Sequence, residues 1–311
     1  MGPKEVSGKT AGNPLSISFF VREKVPERGQ RRVLADGRRR LPKRIELHGT
    51  KIPTDVVVAV SNSALASANA VAPASNRIRA GGRISNGSGV GTFGCLASSP
   101  DGQRLYALTN HHVGIGPATS IYFPDPFIAG SVIGTTERTV GLVADEQYLG
   151  VIDKPGTFVD VDAALIAIPP VQVPRFSSDT PTIGIPSGIF EPDRSSFAAF
   201  SNSLLNREVF AFSWNSGHRT GRISHVYFGL RRLPDQTDSV ASFLVASTDG
   251  LVPGIQGDSG KVWMTSDGDR TLVVGLHSGV VTEAHTGARF AIVADISSMA
   301  RYMGFQLVVA T

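Results

Sequence analysis

Short apolar runs separated by turn-forming residues are the dominant pattern of this 311-residue chain. Runs of this length are typical of half-buried or buried strands. Helical spacing is clear only in residues 296–305, where Ile296, Met299, Tyr302 and Met303 recur at helical intervals. The pattern therefore predicts a mostly β protein, built as a barrel or sandwich, with a C-terminal helix. The strand candidates after residue 90 are 92–97, 105–109, 163–168, 209–213, 240–246, 261–265 and 271–276, with a hairpin turn at 266–269 between the last two.

The N-terminal part of the chain is organised differently. Residues 14–26 alternate apolar with smaller or polar side chains, as a strand does, and residues 44–47 and 55–60 are further strand candidates. Residues 61–82 are rich in Ala, Ser, Asn and Gly, a composition typical of a linker. We therefore expect a small N-terminal α/β or β module at 1–60, a linker at 61–82 and a main domain at 83–311.

The composition, 41% hydrophobic and 18% charged, is that of a globular protein. A single cysteine, Cys95, excludes an internal disulfide, and we expect it to be a small buried residue. We also expect Trp214 and Trp263 in the core. No apolar run has the length of a signal peptide or a membrane span. The sequence therefore predicts a cytoplasmic protein without a membrane partner.

The net charge of +4 conceals a local concentration of positive charge. Residues 21–44 contain ten Lys or Arg against three acidic residues, so the rest of the chain is net negative. Basic residues 22–44 are a candidate surface for a partner protein or for the phosphates of a nucleic acid. The stretch lacks the interleaved aromatics of a base-stacking site, and a solvated basic loop is the simpler interpretation.

Three segments carry the candidate chemistry: TNHHV at 109–113, DAALI at 162–166 and GDSG at 257–260. A serine hydroxyl becomes a nucleophile where a neutral imidazole accepts its proton, and a buried carboxylate fixes the tautomer of that imidazole. The order His, Asp, Ser excludes the α/β hydrolases, in which the serine comes first within a Gly-x-Ser-x-Gly motif. Here Lys261, not glycine, stands two positions after Ser259.

These motifs resemble those of the chymotrypsin-like (trypsin-fold) serine peptidases, over about three quarters of the chain, and are most similar to disulfide-free bacterial members. The resemblance implies a double β-barrel in residues 83–311. It implies that His112 is the general base, Asp162 the orienting acid and Ser259 the nucleophile, and that the backbone N–H groups of Gly257 and Ser259 form the oxyanion hole. The implied reaction is hydrolysis of a protein or peptide substrate through an acyl-enzyme, with no metal and no organic cofactor.

His111 competes with His112 for the role of base. Adjacent residues of an extended segment face opposite sides, so only one of the two faces the serine, and the motif register favours His112. The same geometry, with no thiols or spaced acids nearby, disfavours a metal site at this pair.

Four residues are candidate substrate contacts by the same resemblance. His277, Ser278 and Gly279 fall on the strand that lines the pocket for the acyl-side residue, and His277 matches a pocket histidine of glutamyl endopeptidases and picornavirus-type 3C proteases. A histidine there donates to a Glu carboxylate or a Gln amide and selects for those residues, unless it only packs locally. Thr220 lies where relatives carry a segment beside the pocket, with a structural turn as the alternative.

Two further alternatives concern regulation and function. In trypsin-like zymogens the acid at the position of Asp258 pairs with a freed N-terminal ammonium, and Arg83-Ile84 resembles an activation site, although 28 residues before His112 is a short distance for that device. The alternative to an enzyme is a trypsin-fold binding or scaffold protein with a latent site, which recruits a partner or nucleic acid through its basic N-terminal module.

Overall fold

The computed structural model describes residues 2–6, 9–21, 44–47, 50–61, 77–124, 131–151, 156–232, 238–283 and 286–309. Within these ranges the chain is mostly β and forms two barrels, preceded by a group of N-terminal strands. The predicted fold class, a mostly β double barrel with a C-terminal helix, is confirmed. The N-terminal strands are β1 (Gly2–Val6), β2 (Lys9–Val21), β3 (Arg44–Leu47) and β4 (Thr50–Ser61).

The first barrel is a closed ring of antiparallel strands. Its ring order is β6–β10–β11–β12–β9–β8, and β7 closes it because β7 pairs with β6 and runs on into β8. Ile84, Phe93 and Ile166 are among the fully buried side chains that fill it. The strands of this region are β5 (Ile78–Arg79), β6 (Arg83–Ser85), β7 (Val90–Thr92), β8 (Cys95–Ser98), β9 (Leu105–Thr109), β10 (Ser120–Phe123), β11 (Ser131–Ala144) and β12 (Thr157–Ala167).

The second barrel closes in the same way, in the order β15–β16–β17–β20–β19–β18 and back to β15. Trp263, Phe243 and Val273 lie fully buried in its interior. The strands of this region are β13 (Phe176–Ser177), β14 (Gly188–Ile189), β15 (Glu208–Ser213), β16 (Gly217–Arg232), β17 (Asp238–Ser247), β18 (Val262–Asp267), β19 (Arg270–Glu283), β20 (Arg289–Asp295) and β21 (Gln306–Leu307).

Several connections join the parts of the molecule. The start of β12 pairs in parallel with β17, so one strand of each barrel lies side by side. The terminal strand β21 returns from the second barrel to pair with β8 of the first. At the N-terminus, β2 and β3 both pair with β4, and β4 pairs with β19. Ile78 and Ala80 belong to the predicted linker at 61–82, yet they pack in the core of the first barrel, which therefore begins before residue 83.

The helices are short. They are α1 (His111–Gly114), α2 (Asp145–Tyr148), α3 (Phe197–Leu204) and α4 (Ile296–Met303), with a 3₁₀ turn at Pro170–Arg175. The predicted C-terminal helix is confirmed as α4, which begins where Asp295 caps the Ser298 N–H and ends at Gly304, with a φ of 61°. Helix α3 was not predicted from the sequence, because its eight residues give too short a pattern to separate from a strand. No helix in the described ranges has the length and apolar character of a membrane span.

Most strand predictions coincide with observed strands, but the one at 92–97 is interrupted. β7 ends at Thr92 and β8 begins at Cys95. A side chain on Gly94 would place its Cβ 2.3 Å from the Gly260 carbonyl oxygen, so the chain bends here around the other barrel. Burial of Cys95 is confirmed, and burial raises the pKa of its thiol to about 12.

The two tryptophans differ in their surroundings. Trp263 is fully buried in the second barrel, as predicted, whereas Trp214 is 36% exposed in a turn, so its predicted place in the core is wrong. We expect Trp263→Ala to lower the free energy of unfolding by about 3–5 kcal/mol, since it leaves a large cavity. Trp214→Ala, which loses mainly an edge contact with Phe212, should cost about 1 kcal/mol. Urea unfolding of both variants measures the difference, and equal costs would contradict the assigned burial.

Candidate active site

His112 and Asp162 lie in direct contact at one end of the first barrel. Strand β9 ends at Thr109, and the helical turn α1 that follows carries His112. Nδ1 of His112 lies 2.7 Å from Oδ2 of Asp162, and the His112 backbone N–H donates to Oδ1 of the same carboxylate at 3.1 Å. Both carboxylate oxygens of Asp162 therefore contact His112.

A β-bulge aims Asp162 at this histidine. The register between β11 and β12 shifts beside Asp162, whose φ of 44° lies in the left-handed region. That conformation is costly for a residue with a side chain and is found where surrounding structure holds it. The Asn110 side chain does so here, because its Nδ2 donates to the Asp162 carbonyl at 2.6 Å.

The environment of His112 favours its protonated form. Burial lowers the pKa of the imidazole. The hydrogen bond and the charge of Asp162, with a smaller effect of the Asp160 charge, raise the pKa by more than burial lowers it, so that it lies above the usual 6.5. His112 is therefore neutral, and able to accept a proton, only at a higher pH than an ordinary imidazole needs.

His111 occupies a different environment. The extended conformation expected for this segment is wrong, because residues 111–114 form the turn α1. The ring of His111 lies beside Gly141, and its buried Nδ1 has no hydrogen-bond partner within the described part of the chain. Of the two histidines, His112 is the one paired with Asp162.

The loop that carries Ser259 is docked against the first barrel. The Ser259 carbonyl accepts from the Thr92 N–H at 2.7 Å. The next residue, Gly260, has a φ of 97°, and a Cβ on it would lie 2.4 Å from Thr109 Oγ1. Since α1 begins two residues after Thr109, this contact brings Ser259 to the end of the barrel that holds His112.

A second glycine shows the same proximity. A Cβ on Gly91 would lie 2.4 Å from the side chain of Val113 and 3.1 Å from the Ser259 carbonyl. Val113 directly follows His112, so the two segments meet across Gly91. The Ser259 side chain lies in a partly exposed position at this junction.

Gly257 is held from two sides. Its φ is 89°, and its carbonyl accepts from Thr92 Oγ1 and Asn215 Nδ2, both at 2.7 Å. Among the described residues, no acceptor pairs with the backbone N–H of Gly257 or of Ser259. Two unpaired donors at adjacent turns of a loop are suited to bind a developing oxyanion. Sequence reasoning missed Thr92 and Asn215, because hydrogen bonds between distant segments leave no local pattern.

Two of the candidate substrate residues, His277 and Thr220, do not lie in the surroundings that the sequence predicted. His277 is 1% exposed, and burial together with the Lys261 charge lowers its pKa to about 3, so the ring is neutral. A Cβ on Gly254 would lie 2.5 Å from its Nε2, and its Nδ1 has no partner in the residues described. Thr220 lies on β16 opposite Phe210, so the predicted turn is not at this residue but at 214–216.

Ser278 and Gly279 are partly exposed neighbours of His277 on β19. The pairing of β19 with β20 shifts register between His277 and Gly279, so Ser278 is the extra residue of a bulge. Its Oγ donates to the Ile292 carbonyl at 3.4 Å. The described residues contain no cluster of three metal-ligating side chains.

Comparison with solved structures gives similar proteins at low identity. The structure of Thermobifida fusca Protease A is 16% identical, with a TM-score of 0.49, and the match covers 75% of this chain and 100% of that chain. A glutamic acid specific serine protease described with a histidine triad in substrate binding is also 16% identical, with a TM-score of 0.49 and coverage of 74% and 100%. Nocardiopsis Protease (NAPase) is 18% identical, with a TM-score of 0.46 and coverage of 74% and 98%.

Comparison of the sequence gives a family. Residues 66–288 match the family model of the Nal1 C-terminal domain. A search of curated protein sequences found no match.

Proposed function

The chain belongs to the family of the Nal1 C-terminal domain, and on that premise we propose that it is a serine endopeptidase acting through an acyl-enzyme. The observation that carries the proposal is the 2.7 Å contact between His112 and Asp162 beside the docked Ser259 loop. A carboxylate that holds an imidazole next to a serine is the arrangement that activates a hydroxyl at neutral pH.

Each residue then has a defined step. Ser259 Oγ attacks the peptide carbonyl, and Nε2 of His112 takes the hydroxyl proton while Asp162 holds Nδ1–H and stabilises the imidazolium. The N–H groups of Gly257 and Ser259 bind the oxyanion. His112 passes its proton to the leaving amine, and the acyl-enzyme remains. Water, deprotonated by His112, attacks the acyl carbon, and Ser259 regains its proton when the acid product leaves.

Cleavage of a proteome-derived peptide library by the purified chain tests this function, with new amine termini identified by mass spectrometry. We expect cleavage by the wild type at pH 8 and none by Ser259→Ala. A wild type that cleaves nothing would contradict the proposal and favour the binding or scaffold alternative. That alternative depends on the basic residues of the N-terminal module, and those at positions 22–43 lie outside the described residues.

For the acyl-side residue we propose a preference for Glu or Gln, determined by His277 with Ser278, Gly279 and Thr220 beside the pocket. The support is the unpartnered Nδ1 of a buried, neutral imidazole, which has one N–H to donate to a side-chain oxygen. A substrate oxygen that accepts from this N–H gains a hydrogen bond that an apolar side chain cannot make.

The library also tests the preference. We expect His277→Leu to lower the ratio of kcat/KM for Gln or Glu over Leu at this subsite by about 10- to 100-fold, because one buried hydrogen bond is lost. Ser278→Ala is the matched control on the same strand, and its ratio should change less. Equal ratios in wild type and His277→Leu would show that His277 only packs locally.

A further inference from the structure

Two opposite charges are buried next to the nucleophile. Asp258 and Lys261 are both 0% exposed, and Nζ of Lys261 lies 2.9 Å from Oδ2 of Asp258. Nζ also donates to the Pro253 carbonyl at 2.8 Å. Oδ1 of Asp258 accepts from Ser213 Oγ at 2.5 Å, and Oδ2 from the Ile255 N–H at 3.1 Å.

Such a pair contributes little to stability for its own sake. Desolvation of two charges offsets most of their attraction, and apolar replacements of a buried ion pair are often as stable. Burial alone would raise the pKa of Asp258, but the charge of Lys261, together with smaller effects that include the hydrogen bonds from Ser213 and Lys261, outweighs it and holds the pKa below the usual range. The carboxylate therefore stays charged at neutral pH and keeps its three-part anchorage by Lys261, Ser213 and Ile255.

The anchorage acts on the segment that carries the proposed chemistry. Along the chain, Asp258 lies between Gly257 and Ser259. Pro253 precedes these three residues, and Lys261 follows them. The Ser259 N–H belongs to the peptide unit that follows Asp258, and the Gly257 carbonyl belongs to the unit that precedes it. A side chain of Asp258 fixed inward therefore sets both peptide planes.

We propose that Lys261 is a positioning residue, an ammonium within the chain that holds Asp258 inward and keeps the nucleophile loop in its working form without cleavage of the chain. This inference rests on the proposed function. The carboxylate oxygens already have Lys261, Ser213 and Ile255 as partners, which leaves no role for a terminal ammonium. Ile84, which cleavage after Arg83 would have to release, is fully buried in β6.

Variants that neutralise the pair test the proposal. We expect Lys261→Met and the double variant Lys261→Met/Asp258→Leu to react with a fluorophosphonate at least about 100-fold more slowly, the effect of losing one oxyanion donor. In peptide hydrolysis kcat should fall and KM should change little. The double variant, which buries no unpaired charge, should unfold near the wild-type urea midpoint. Ser213→Ala removes one bond to Asp258 and should give an intermediate loss.

The outcomes separate a positioning role from a structural one. Folded variants with the wild-type labelling rate would overturn the inference, as would labelled wild-type protein whose intact mass shows a chain beginning at Ile84. If the wild type is neither labelled nor able to hydrolyse peptides, the proposed function fails. Hydrogen exchange then tests separately whether Lys261 holds the loop in place. Faster exchange in Lys261→Met confined to residues 253–261 supports positioning, and unchanged exchange there overturns it.

Discussion

Ser259→Ala is expected to abolish peptide hydrolysis, with a fall in kcat of about 10⁶-fold, the scale found when the nucleophile is removed from a serine protease. The hydroxyl is the atom that forms the acyl-enzyme, so no neighbouring group replaces it. The fold should be unaffected, because the contacts of residue 259 with Thr92 are made by its backbone carbonyl. Progress curves with an activated ester and a peptide measure the loss.

Ser266→Ala is the matched control. Ser266 is an exposed serine at the far end of β18, seven residues from Ser259, and makes no contact with the candidate site. We expect its activity and urea midpoint to equal those of the wild type. Comparable activity in Ser259→Ala and Ser266→Ala would show that Ser259 is not the nucleophile.

Asp162→Asn is expected to lower kcat by about 10⁴-fold with little change in stability. An asparagine presents an N–H₂ group where Nδ1 of His112 now donates to a carboxylate. The imidazole then carries its proton on Nε2, where it can no longer accept one from Ser259. The imidazolium formed during attack also loses its counter-charge.

The pH dependence of kcat/KM tests independently whether His112 is the base. His112 is active as a base only when neutral, and its pKa in the wild type is raised above 6.5, so kcat/KM should fall as pH drops through that raised value. In Asp162→Asn burial still lowers the pKa while the opposing charge is gone, so the residual activity should persist to lower pH. Asp160→Asn, the control, should shift the profile in the same direction by less. A wild-type profile flat between pH 6 and 8 would contradict the assignment of the base.

Local pattern predicted much of the fold. Strand β9 was predicted with its observed bounds, and α4 with its first residue, because apolar periodicity and caps are local properties. The break at Phe93 and Gly94 was not predictable, since it follows from the approach of Gly260 in the other barrel. The exposure of Trp214 likewise depends on a tertiary turn that composition does not specify.

The candidate site divides in the same way. The order of motifs was enough to select His112, Asp162 and Ser259, but the helical turn at 111–114 and the left-handed conformation of Asp162 arise from tertiary hydrogen bonds. Lys261 was assigned to a strand, with no signal that its charge is buried against Asp258. A residue of this type is identified only when the three-dimensional structure shows its burial and its partners.

Fluorophosphonate labelling of the purified chain, beside Ser259→Ala and His112→Ala, shows whether Ser259 is an activated nucleophile with His112 as its base. The reagent reacts only with a serine that has an activated hydroxyl, and mass spectrometry of the digest locates the adduct. We expect labelling of the wild type at Ser259 and loss of labelling in both variants. A folded wild type that remains unlabelled at pH 8, or an adduct on another serine, would contradict this expectation.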